Sequence, residues 1–109
     1  MNTLRIVKLN ACDILLDPKH AADVIAKACL RDGVGMRPTG CCDPGGGVVY
    51  IPLAESQAGG NVAYYFAMFP DMSEETVVTE LNLRYMNNMT LVGSFRLEDT
   101  LWGLWMREA

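Results

Sequence analysis

Adjacent thiols are the first groups in this chain that could do chemistry. Cys41 and Cys42 sit in Gly40-Cys41-Cys42-Asp43-Pro44-Gly45-Gly46-Gly47, beside a carboxylate and a run of backbone amides with little side-chain cover. Thiolates can hold a soft metal ion, but a structural zinc site needs four ligands, commonly from two Cys-x-x-Cys pairs. No such pair occurs here. Cys41 and Cys42 are therefore weak metal candidates, and no cofactor is expected. Neighbouring cysteines bridge each other only with strain. The thiols are read as reduced, as in a cytoplasmic protein.

A cysteine nucleophile needs a base. The single histidine, His20, falls in the first turn of a helix, where the dipole disfavours its charged form. Pairing Cys12 with His20 is geometrically allowed, but an exposed helix-start histidine is the simpler reading. The carboxylate pairs Asp13 with Asp17, Glu74 with Glu75, and Glu98 with Asp99 fall at turns and helix starts, where acidic groups serve structure. Arg37 could contact an anion at a single point. The glycines around it follow a helix and precede a strand, the reverse of a phosphate-cradling loop, and no Lys accompanies them. No catalytic set emerges, and the chain leans away from being an enzyme.

Aromatic residues give the better hint. Tyr50, Tyr64, Tyr65, Trp102 and Trp105 all fall in β-prone segments. Tyr and Trp are common anchors at protein interfaces. Alternation along the last strand puts Trp102 and Trp105 on opposite faces. At least one of the two must therefore meet solvent or a partner.

The net charge is −4 and the nine Lys and Arg residues are scattered, with no two adjacent. A basic face for nucleic acid is thus not expected. Ile14-Leu15-Leu16 is too short for a membrane span and is flanked by Asp13 and Asp17. At 109 residues the chain is the size of one domain, spanning 1–109, with enough length to bury a core without staples.

The elements that must position these residues follow from periodicity. Residues 3–9 alternate and predict a strand. Asp17-Pro18 predicts a helix start, followed by Ala21, Val24, Ile25, Ala28 and Cys29 at helical spacing, with Gly33 as the stop. Residues 33–47 hold six of the ten glycines, which predicts a long loop. Residues 48–53 predict a strand with Pro52 at an edge or bulge, and Gly59-Gly60-Asn61 predicts a turn. Residues 62–69 are apolar on both faces, which predicts a central strand. Ser73 predicts the cap of a second helix whose stripe is Val78, Leu81, Tyr85 and Met89, flanked by Val77 and Met86, with Glu80 and Arg84 as an i, i+4 pair on the flank. A terminal hairpin turns near Glu98-Asp99.

This order, βαββαββ, predicts an α+β, ferredoxin-like two-layer sandwich: one antiparallel sheet with two helices on one face. The second face would carry large apolar groups without cover, which calls for a partner. The expected function is a small non-enzymatic interaction module. It would be homodimeric or bound to another protein through an apolar aromatic sheet face. The alternative is a small-molecule binder or enzymatic dimer whose pocket, between sheet and helices, takes a small apolar ligand.

Overall fold

Short-range patterning places most of the elements, and the structure, a computed structural model, describes residues 4–30, 35–56 and 62–108. In chain order these are β1 (Arg5–Asn10), α1 (Ala11–Leu16), α2 (Pro18–Cys29), β2 (Met36–Pro38), β3 (Cys42–Gly45), β4 (Val48–Glu55), β5 (Val62–Met68), α3 (Glu74–Met86), β6 (Met89–Leu97) and β7 (Thr100–Glu108). The fold is α+β, with two antiparallel sheets and three helices. The expected single sheet of ferredoxin-like order is not confirmed. In the first sheet β4 is central, with β1 on one side and β2 and β3 in succession on the other. In the second sheet β7 is central between β5 and β6.

The two sheets share one core. Val7, Leu9, Val49, Ile51 and Leu53 from the first meet Tyr64, Phe66, Phe95, Leu97, Trp102 and Leu104 from the second. Helix α2 adds Ala21, Ala22, Ile25 and Cys29, one stripe at helical spacing. Ile14 from α1 and Ile25 are fully buried, each worth about 1.5–3 kcal/mol in removed apolar surface. Asp17 separates the two helices: its carboxylate accepts from the His20 amide at 3.1 Å, and Pro18 opens α2 as expected. Helix α1 itself, only 6 residues long, carries no sequence signal that separates it from a loop.

The long loop expected over 33–47 is only partly loop. Its described part holds β2 and the β3–β4 hairpin, whose Gly46 and Gly47 both have φ 77°. Positive φ at both central residues is the turn that matches strand twist, and it strongly favours glycine. The expected stop at Gly33 and the expected turn at Gly59-Gly60-Asn61 lie outside the described residues.

Pro52 is a second correction. It lies in the central strand, opposite Ile6 on one side. On its other side Thr39 donates its amide to the Pro52 carbonyl at 2.9 Å. An extended residue points its N–H and C=O the same way, so the missing donor also faces this side. There β2 and β3 break, with Pro38 opposite Leu53 and Cys42 opposite Tyr50. The interruption of the neighbouring strand, rather than an edge position, accommodates the proline.

Candidate functional site

Strand β5 departs most from expectation. Its composition is that of a central strand, yet it stands at the edge of its sheet, paired with β7 alone. The Phe69 amide donates to the Leu101 carbonyl at 2.9 Å. Alternation from that bond directs the backbone of Ala63, Tyr65 and Ala67 to β7, and that of Val62, Tyr64, Phe66 and Met68 to the free edge. The turn of the β6–β7 hairpin agrees in phase, since Leu97 and Thr100 flank a two-residue connection.

A groove of about 690 Å³ runs along this edge, between Val62–Phe66 and the first half of α2. Leu16, Ala22 and Ala26 line its apolar wall, while Asp17, Lys19 and Asp23 carry charge around it. Leu16 is 83% exposed, far more than an apolar side chain in a finished core. Tyr65 and Met68 are also exposed.

Beneath the groove, Tyr64 is buried and its hydroxyl lies 3.8 Å from the Cys29 sulfur. Burial pushes both groups' pKa values up, so both stay protonated at neutral pH. Arg5 donates to the Ala28 carbonyl at 2.9 Å, tying β1 to the negative end of α2. Arg37, the expected anion contact, pairs with Glu108 of β7 and so links the two sheets.

The structure separates the other expected site residues. Trp102 is buried in the shared core. Trp105 lies on the opposite face of β7, and α3 covers that face. The Arg84 guanidinium stands 4.7 Å from the Trp105 ring centre, and Phe69 packs at 5.6 Å between centroids. Neither indole N–H has a hydrogen-bond partner among the described residues. The bare aromatic face expected of a single sheet is therefore absent at Trp105. Tyr50 lies on the outer face of the first sheet, opposite Lys8 and near Ile6, which is 53% exposed.

Helix α3 is rotated from its expected stripe. Val78 and Tyr85 face solvent, while Val77, Glu80, Leu81 and Arg84 form the half-buried side. The cation over Trp105 and the 3.4 Å Arg84–Glu80 pair explain the choice, because an arginine stem covers apolar surface as it delivers its charge. Sequence spacing finds the Glu80–Arg84 pair on the flank but not the ring that Arg84 covers.

Cys41 and Cys42 are not brought together as a ligand pair. Cys41 packs against the core and burial pushes its thiol up to about 12, whereas Cys42 is exposed. Among the described residues no three His, Cys, Asp or Glu groups are placed to hold a metal ion, and no helix is long and apolar enough to cross a membrane. No protein-family model, no curated protein and no solved structure matches the chain.

Proposed function

We propose that this chain is a non-enzymatic interaction module that works as a homodimer. The carrying observation is its exposed apolar surface: Ile6 on the first sheet with Leu4 just before it, and Leu16, Tyr65 and Met68 around the β5 edge. Sedimentation equilibrium across the micromolar range tests the reading. A concentration-dependent dimer is expected, and a single monomeric species throughout would refute it.

One observation favours a second reading. The groove beside β5 falls in the size range of small-molecule sites; Tyr64 and Tyr65 line it, while Tyr50 and Trp102 lie elsewhere. A thermal-shift screen of apolar metabolites should then raise Tm by mass action. A flat screen leaves the interaction reading alone.

A further inference from the structure

We infer that two copies of this chain join edge to edge through β5, forming a continuous six-stranded antiparallel sheet with Tyr65 at the two-fold axis. The inference deepens the homodimer reading by naming its seam, and it rests on that reading.

Four observations carry it. The free edge of β5 presents the backbone groups of Val62, Tyr64, Phe66 and Met68, and no hydrogen bond among the described residues satisfies them there. Natural sheets guard such edges with charge, proline or bulges. The other edge strands of this chain are guarded. β1 carries Arg5 and Lys8, β2 carries Arg37 and Pro38, β3 carries Asp43 and Pro44, and β6 carries Arg96 and a register shift between Leu91 and Gly93. β5, Val-Ala-Tyr-Tyr-Phe-Ala-Met, carries no charge, proline or bulge, and the element beside its edge is α2, across the groove.

The sequence of β5 is also self-complementary in antiparallel pairing. With Tyr65 facing the partner's Tyr65, Tyr64 meets the partner's Phe66, Ala63 the partner's Ala67, and Val62 the partner's Met68. Aromatic faces aromatic, small faces small, and apolar faces apolar, the pairings that stabilise a sheet. Because the Tyr65 backbone points to β7, this central pair is non-hydrogen-bonded, with the closest Cα approach, about 4.5 Å. The pairs between Tyr64 and the partner's Phe66 then exchange the hydrogen bonds.

The last observation is the exposed apolar surface beside this edge, where Tyr65 and Met68 both meet solvent. Leu16 stands at the rim of the groove beside this edge, where an incoming copy would cover it.

The test uses the full chain with its exposed thiols removed, Cys12→Ser and Cys42→Ser. Into it goes Tyr65→Cys, or Ile6→Cys on the outer face of the first sheet. Mild oxidation should crosslink Tyr65→Cys efficiently, because a Cα separation near that of a disulfide exists only at the axis of this register. Ile6→Cys should not crosslink. In the unmodified chain, Tyr65→Lys should weaken dimerisation by about 100-fold or more, since like charges then face each other, while the far-ultraviolet circular dichroism stays native. Amide exchange at Tyr64 and Phe66 should be slow in the dimer and fast in Tyr65→Lys. A native dimer that fails to crosslink at Tyr65→Cys, or that crosslinks at Ile6→Cys instead, overturns the β5 seam but leaves the homodimer reading standing. A monomeric native chain overturns both.

Discussion

Cys41 and Gly93 meet where the two sheets close on each other. A Cβ at Gly93 would stand 2.7 Å from the Cys41 backbone nitrogen and 3.0 Å from its sulfur. Backbone cannot yield as a flexible side chain does, so Gly93→Ala should destabilise the fold by about 1–3 kcal/mol in urea titration. The same contact hides the Cys41 thiol. Cys12 and Cys42 should react with a thiol reagent at once in the native protein, and Cys29 and Cys41 only on unfolding. The raised Cys41 pKa also sets a direction with pH. The unfolded thiol ionises near its ordinary value, about 8.5, while the folded one stays neutral to about 12. Its contribution is complete below the unfolded pKa and is lost as pH rises toward the folded one. Cys41→Ala should therefore flatten the alkaline loss of stability. Glu98 is strained in the other sense. It turns the terminal hairpin at φ 58°, a conformation glycine adopts freely. Glu98→Gly should raise Tm, by up to about 1 kcal/mol of added stability.

At the scale of elements, α3 is the least anchored. It has no buried residue, and its hold on the sheet runs through Arg84 over Trp105. Its start is well made: Ser73 accepts from the Thr76 amide at 3.2 Å, and Asp71 accepts from the Ser73 amide at 2.8 Å. Ser73→Ala should cost about 1 kcal/mol. Hydrogen bonds from Ser73 lower the Asp71 pKa. The linked stability is present above the unfolded carboxylate value and lost as pH falls through the folded one. The difference between the native chain and Asp71→Ala should thus be full near neutrality and vanish in strong acid, by denaturation at several pH values. Trp105→Ala removes the platform itself and should cost about 3–5 kcal/mol.

Helix α3 also marks how far the sequence could be read. Ser73 and the acidic first turn fixed its start, because capping is local chemistry. The side it buries was not legible, because spacing scores apolar residues and cannot see a cation drawn onto Trp105 from another element. Asp17-Pro18 likewise placed α2, while the glycine-rich stretch concealed β2 and β3. Glycine composition signals turns, and the hairpin at Gly46-Gly47 is one. That turn closes β3 onto β4 despite Asp43 and Pro44 in its sequence, and β2 pairs with the far end of β4.

At the scale of the whole molecule, the shared core joins both sheets and α2, so the groove beside β5 is a feature of the surface and not a gap in packing. If β5 is the dimer seam, Tm should rise with protein concentration, because association stabilises the folded chain by mass action. Calorimetry over a hundredfold concentration range reads this directly, and Tyr65→Lys should abolish the dependence.

The sequence by itself determined the α+β class, the starts of α2 and α3, the terminal hairpin and the apolar character of β5 on both faces. Each is written within a few consecutive residues, in capping chemistry or in a period of two or of 3.6. Only the tertiary structure decided that the strands divide into two sheets, that Trp105 lies beneath α3, and that β5 stands at an edge. Those outcomes depend on which strand pairs with which across long stretches of chain. Alternation specifies the faces of a strand but says nothing about the neighbour on either side.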